Sequence, residues 1–213
     1  MGGTESRLNR SNSDEMRLSR AGAAMFLAGG ISFMGIITGE VLYPDYSTRQ
    51  DISDLGSTQP PNPIIHEPSA TIFNSTMLVT GALLLVAAYF LHRSTGRRVL
   101  TIPLAVFGFG VFGVGVFPGN VVPWHGLFAL LTFFSGGITV VLSSRVVTRP
   151  FKYFCLLFGV ISLATLVSVF VLQEANPLNV LGSGGVERWV AYPLLLWVTG
   201  FGGYLLGDPD VSS

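Results

Sequence analysis

Six long apolar stretches alternate with polar segments along this chain. The centre of each stretch contains no Asp, Glu, Lys or Arg, and each is about as long as the roughly 20 residues that a helix needs to cross a bilayer. Because backbone N–H and C=O groups in lipid must be paired within their own segment, such runs are expected to be helical. The pattern predicts spans at about 21–42, 71–92, 99–117, 125–143, 152–172 and 189–206. We therefore expect an all-α polytopic membrane protein, a six-helix transmembrane bundle.

The composition supports a lipid environment and narrows the function classes. Hydrophobic residues make up 49% of the chain and charged residues only 11%, against about 25% charged residues in soluble domains. A formal net charge of zero removes the basic surface on which nucleic-acid binding depends. The single cysteine, Cys155, lies in an apolar run, which excludes an intrachain disulfide and a cysteine-rich metal site.

The basic residues predict how the chain is oriented. Ten of the twelve fall before the first span, between the second and third, or between the fourth and fifth, and the positive-inside rule assigns those segments to the cytoplasm. The ten are Arg7, Arg10, Arg17, Arg20, Arg93, Arg97, Arg98, Arg145, Arg149 and Lys152. Both termini are then cytoplasmic, with a flexible polar tail at 1–19, the transmembrane domain at 20–207 and a short tail at 208–213.

Glycines are frequent in the predicted spans and indicate how the helices associate. Gly35 and Gly39 in the first span, and Gly115 and Gly119 near the end of the third, form small-xxx-small pairs. Small residues let helix backbones approach closely in lipid, where no hydrophobic force drives them together. We expect the first and third helices to lie centrally, and the glycine-rich faces offer a surface for a homo-oligomer.

The longest connection joins the first two spans, from Tyr43 to Ala70. It exceeds the roughly 12 to 15 residues beyond which a connection is usually functional, disordered or structured in its own right. Ile52 and Leu55 give it apolar side chains to bury, and Asp51 and Asp54 are typical helix-cap or turn formers. We expect an ordered extracytoplasmic loop packed over the outer end of the bundle.

Polar residues from separate parts of the chain meet at the level of this loop. Glu40 and His125 lie at the ends of apolar spans, and ionisable residues at membrane depth are by default candidate functional positions. The candidate catalytic residues are His125, Glu40 and Asp54. The candidate ligand-binding residues are Tyr43, Tyr46, Ser47, Asp51, Asn74, Asn120 and Arg188.

This outer cluster has two interpretations. Its side chains form hydrogen-bonded pairs that pin the loop to the helix ends, or a carboxylate and an imidazole share proton transfer at a catalytic or binding site. A zinc site normally needs three protein ligands, and no spacing such as HExxH is present, so we expect no metal and no cofactor.

Three motifs resemble a known family. They are GEVLYPDYSTRQDISDLGSTQPP, PSATIFNSTM, and GVGVFPGN followed by His125, and they are similar to the prokaryotic six-span family known as domain of unknown function 998. More distantly, ISDLG, a proline-rich stretch and then FN are similar to the eukaryotic Frag/DRAM/Sfk group. The resemblance covers about Ala21 to Leu206 and implies the plasma membrane of a prokaryote. Because the distant group includes proteins implicated in remodelling the lipid of glycolipid anchors, it favours a membrane lipid as ligand.

Three functional hypotheses follow. The first is a protein that recognises or organises lipid at the extracytoplasmic leaflet, since no complete catalytic set is evident. The second is a membrane-embedded lipid-modifying enzyme, a hydrolase or acyltransferase-like protein, with His125 and Glu40 or Asp54 as acid and base. A transporter is the third, disfavoured because the span centres lack charged residues and no inverted repeat is visible.

Overall fold

A computed structural model describes residues 2–207 of the chain, with side chains described from residue 12 onward. Six α-helices and three short 3-10 helices account for its regular structure, and no strand occurs within residues 2–207. The α-helices are α1 (Gly2–Leu42), α2 (Ser69–Thr95), α3 (Arg98–Val116), α4 (Trp124–Ser143), α5 (Phe151–Leu172) and α6 (Gly182–Leu206). The 3-10 helices are Ile52–Leu55, Gln173–Ala175 and Pro177–Leu181. All six α-helices are long and apolar enough to cross a membrane, which confirms the all-α, six-helix membrane bundle.

The six helices form a ring in chain order. Each helix packs on the next, and α1 closes the ring against α6. Helix α4 also contacts α6 directly, so α5, which packs against both of them, lies on the periphery. The prediction that α1 and α3 lie centrally agrees with their burial, because they have the largest buried shares of the six spans, 44% and 56%. Short connections such as the one between α2 and α3 make consecutive helices antiparallel neighbours.

The glycines of the spans mediate these pairwise helix contacts. A Cβ atom on Gly35 would lie 2.1 Å from the Thr76 hydroxyl, and one on Gly115 would lie 2.7 Å from the Asn74 carbonyl. Glycine therefore sets the close approach of α2 to both α1 and α3. These contacts are all within one chain, and a homo-oligomer through glycine-rich faces stays a prediction.

Helix α1 extends into the segment that the sequence predicts as a flexible tail. The chain is helical from Gly2, and from residue 12 onward its side chains pack on the bundle. Arg17 forms an ion pair with Asp14 at 2.8 Å, the Ser94 hydroxyl donates to the Asp14 carbonyl at 3.0 Å, and Leu18 packs against the core. The folded unit therefore starts before residue 20, and the predicted tail at 208–213 lies outside the described residues.

Helix α6 also begins earlier than predicted, at Gly182 instead of residue 189. The small residues at its start suggest a turn in the sequence, but they allow the loop before α2 to lie against the helix. The Gly184 N–H donates to the Arg49 carbonyl at 3.0 Å, and a Cβ on Gly184 would lie 1.6 Å from the Gln50 carbonyl. Arg188 is therefore inside the helix, not ahead of it.

The connection between α1 and α2, residues 43–68, is ordered and will be called the cap loop. Its Ile52 and Leu55 are buried in a small core with Tyr43, Phe73 and Val114. The end of the bundle that carries the cap loop is the cap face. The opposite end is the basic face, with the turns at 96–97 and 144–150. The predicted ordered loop between the first two helices is confirmed.

Candidate functional site

A single arginine joins α1, the cap loop and α6. Arg188 forms an ion pair with Glu40, and their side chains are only 12% and 22% exposed. The other groups that accept hydrogen bonds from its guanidinium are the Tyr46 hydroxyl (2.8 Å) and the carbonyls of Thr48 (3.0 Å), Gln50 (3.1 Å) and Gly184 (2.9 Å). The two terminal nitrogens are thus used by the protein itself, so this residue fastens the loop to the helices.

The two tyrosines of the cap loop take part in the same fastening. Tyr46 lies under the Arg188 guanidinium, 5.7 Å from ring centroid to Cζ, and its hydroxyl donates to the Asp51 carbonyl at 3.0 Å. Burial raises the pKa of Tyr46 to about 12, so the hydroxyl stays protonated and able to donate. Tyr43 is buried and packs edge-on against His66, with ring centroids 4.4 Å apart.

A carboxylate of α6 holds the short 3-10 helix of the cap loop. Glu187 Oε2 accepts a short hydrogen bond from the Ile52 N–H. The residue before this helix, Asp51, makes no side-chain cap of its own, so Glu187 supplies the acceptor that an N-cap residue normally provides. Neighbouring residues 187 and 188 of α6 therefore both bind the cap loop.

His125 lies in the first turn of α4 and is only 5% exposed. Its Nδ1 lies 2.8 Å from the Phe117 carbonyl, and because a carbonyl can only accept, Nδ1 carries the proton. No hydrogen bond from the described residues reaches Nε2, and the imidazole lines an internal cavity. The ring is therefore fixed in orientation, with an unpaired nitrogen available to a ligand or to water.

The cavity runs through the centre of the ring and has a volume of about 80 Å³. Apolar side chains of α1, α2, α3, α4 and α6 form most of its wall, among them Ile36, Phe73, Met77, Phe107, Val111, Ala129 and Leu194. Ser53, His125 and Glu187 line its end beneath the cap loop, and these three residues will be called the roof. Along α6 the cavity extends from Glu187 to Val198, which is about 16 Å of helix.

Two buried oxygens near the cap face lack a hydrogen-bond donor. They are Asp51 Oδ1 and Asn74 Oδ1, and an unpaired buried acceptor costs about 1–3 kcal/mol. The Asp51 carboxylate is within electrostatic range of Asp54, Glu187 and His125. Burial, and then the charge of Asp51, raises the pKa of Asp54 to about 6. The region around the roof is therefore rich in carboxyl oxygens, one of which, Asp51 Oδ1, has no donor.

The structure separates the candidate residues into groups. Glu40, Tyr46 and Arg188 form the fastening network, whereas Asp51, Asp54 and His125 lie near the roof. Ser47 is exposed, and its hydroxyl accepts from the Arg49 N–H at 3.3 Å. Asn120 is half-buried in the α3–α4 turn and does not line the cavity.

Sequence reasoning did not select Ser53 or Glu187 as site residues. The signal for Glu187 was its charge beside Arg188 at the start of a span, but the helix was predicted to begin after both. Ser53 belongs to the ISDLG motif of the family resemblance, but its place in the roof depends on the fold of the cap loop. Its hydroxyl makes no hydrogen bond to His125 in the described structure, so these two residues do not form a nucleophile–base pair.

In the part of the chain that the structure describes, no three His, Cys, Asp or Glu side chains are grouped so as to hold a metal ion. The fold and the six apolar helices define a multi-pass membrane protein. The chain belongs to the family described as protein of unknown function (DUF998), whose model matches residues 26–204. Comparison with curated proteins and with solved structures gave no match.

Proposed function

We propose that this protein recognises a membrane lipid or a similar amphiphile, with the apolar end of the ligand in the internal cavity and its polar group at the roof. The observation that carries this proposal is an apolar cavity of about 80 Å³ that ends beneath Ser53, His125 and Glu187. A single buried water needs roughly 10–15 Å³. Apolar cavities above that size tend to stay dry and accept apolar groups, so the end of an alkyl chain fits this wall better than solvent does.

The roof favours a polar group that donates hydrogen bonds. Asp51, which interacts electrostatically with Glu187 and His125, has a buried oxygen without a donor, and His125 Nε2 is unpaired. Arg188, the cation nearest to the roof, has its terminal nitrogens occupied by the protein. A hydroxyl or amine headgroup would supply the missing donors, whereas a phosphate would find the terminal nitrogens of Arg188 already occupied.

The ligand would enter from the extracytoplasmic leaflet of a prokaryotic plasma membrane. This orientation follows from the basic residues, ten of which are predicted on the side opposite to the cap loop. The chain segments before α1 and after α6 then both lie on the cytoplasmic side, because six spans return the chain to the side from which it started. Labelling of single cysteines introduced at Thr58 and at Ser94 in intact cells tests the orientation, since only the first is expected to react with an impermeant reagent.

Mass spectrometry of lipids that co-purify with the protein tests the binding function. Ala129→Phe and Ala191→Phe add bulk from two helices that line the cavity, and each is expected to remove the retained lipid. Ala82→Phe is the matched control, because Ala82 is exposed on α2 and does not line the cavity. Retention of the same lipid by well-folded Ala129→Phe and Ala191→Phe proteins would refute the proposal.

A lipid-modifying enzyme is the second candidate, and His125 favours it. An imidazole held by the Phe117 carbonyl, with Nε2 unpaired at the cavity, is suited to activate a water molecule as general base. Turnover by the wild-type protein separates the two functions: under catalysis the wild-type protein converts the retained lipid class and His125→Ala does not, whereas under recognition alone the wild-type protein shows no turnover and His125→Ala only weakens retention.

A further inference from the structure

A second apolar groove lies on the outside of the bundle, between α2 and α3, and runs to the basic face. It has a volume of about 660 Å³. The residues that line it are Leu85, Ala88, Tyr89 and His92 of α2, and Arg98, Thr101, Ile102, Ala105, Val106 and Phe109 of α3. None of these lines the internal cavity, so the groove is a separate surface.

The polar residues of this groove are gathered at its basic-face end. The Thr101 hydroxyl donates to the Arg97 carbonyl at 3.2 Å, so it can only accept from His92 Nδ1, which lies 3.2 Å away. This contact fixes the imidazole beside Arg98. The remainder of the groove, toward Phe109, is apolar.

Within the described side chains, no ion pair balances the positive charge at this end of the groove, and the nearby Asp14 of α1 is paired with Arg17. Arg93, Arg97 and Arg98 surround the short turn between α2 and α3, and none of them forms an ion pair within the described residues. No acidic side chain lines the groove. Guanidinium groups bind phosphate oxygens strongly through paired hydrogen bonds, so the end of the groove is complementary to an anion.

The length of the groove matches one leaflet of a bilayer. From Arg98 to Phe109 the lining residues of α3 cover about 16 Å of helix, and half of a hydrocarbon core is about 15 Å. We propose that this groove binds an anionic phospholipid, with its phosphate at Arg98 and one acyl chain along Ala105 and Phe109. Charge complementarity selects an anionic over a zwitterionic lipid.

Native mass spectrometry of the full chain in detergent tests the proposal, with phosphatidylglycerol and phosphatidylcholine of identical acyl chains as probes. The wild-type protein is expected to bind one phosphatidylglycerol more tightly than phosphatidylcholine. The triple variant with Arg93, Arg97 and Arg98 replaced by Gln is expected to lose that preference by about tenfold or more. Its matched control replaces Arg145, Arg149 and Lys152 of the other basic turn by Gln, and should keep it.

A second pair of variants tests the acyl-chain part of the groove. Val106→Trp fills it and should weaken binding of phosphatidylglycerol, whereas Val160→Trp, on the exposed surface of α5, should not. Unchanged thermal unfolding shows that each variant is folded. Equal affinity for the two lipids, equal loss in both triple variants, or unchanged binding by Val106→Trp would overturn the proposal.

Discussion

Replacing Arg188 with methionine removes the group that joins α1, the cap loop and α6. Methionine keeps much of the side-chain length and its apolar stem, but it cannot donate a hydrogen bond. Glu40 then loses its partner in a site where it is only 22% exposed, and three backbone carbonyls lose a donor. The variant therefore tests whether the cap loop depends on this residue.

The expected loss of stability follows from these contacts. Breaking a buried ion pair by removing one partner costs about 3–5 kcal/mol. Because water reaches part of Glu40, we take the lower end of this range, about 3 kcal/mol, a factor of roughly 10² in the folding equilibrium. Most of that loss is expected to appear as opening of the cap loop.

Unfolding in mixed micelles of increasing denaturing detergent, followed by tryptophan fluorescence, measures the loss. Hydrogen exchange of residues 43–58, read by mass spectrometry, shows whether the loop opens. Arg49→Met is the matched control, because Arg49 is an exposed arginine of the same loop whose guanidinium makes no hydrogen bond in the described structure. It is expected to change stability by no more than about 0.5 kcal/mol.

A third variant checks the reason for the effect. On the Arg188→Met background, Glu40→Gln should cost little or restore some stability, because it removes the orphaned charge. A loss below about 1 kcal/mol in Arg188→Met, or a loss equal to that of Arg49→Met, would refute the reasoning.

Three further predictions concern other parts of the molecule. Burial, and secondly a neighbouring carboxylate, raises the pKa of Asp54 from 3.8 to about 6. Because the folded state then holds the proton more tightly than the unfolded chain, stability should fall as pH rises from about 4 to 6. Asp54→Asn should flatten this dependence in unfolding titrations. Gly184→Ala brings a Cβ into a backbone carbonyl of the cap loop, so it should lower the free energy of unfolding by about 1–3 kcal/mol or more and lower the unfolding temperature. Gly30→Ala, whose Cβ would meet nothing within 4 Å, should be neutral or stabilising. Ser143→Ala leaves the fully buried Trp197 indole N–H without its acceptor at 2.9 Å and should cost about 1–3 kcal/mol in the same assay.

The helices could be predicted from sequence because each span carries its own signal. Uncharged runs of about 20 residues have few alternatives in lipid, and the arginines at 97 and 98 mark where α3 starts. The start of α6 could not be read in this way. Gly182 and Gly184 suggest a turn by composition, and only the loop packed against them shows that they belong to the helix.

The sequence indicated which residues would lie at the site, but not which of them would pair with each other. Ionisable residues at the ends of spans pointed to Glu40, His125 and Arg188, yet the partner of Glu40 lies 148 positions away along the chain. The internal cavity needs five helices at once, and no local pattern encodes it. The first interpretation of the outer cluster, that hydrogen-bonded pairs hold the loop to the helix ends, describes the contacts of Glu40 and Arg188. His125 is different, because its Nε2 has no hydrogen-bond partner in the described structure.

Ring closure between α1 and α6 has a consequence for biogenesis. The ribosome completes α6 after the other five helices, and Arg188 reaches the carbonyls of Thr48 and Gln50 only then. The cap loop therefore has no anchor until α6 has been synthesised. In a nascent chain halted after α5, the cap loop would lack its contacts with Arg188 and the face of α1 that packs on α6 would be exposed. These exposed features would let the membrane insertion and quality-control machinery distinguish such a chain from one that contains α6.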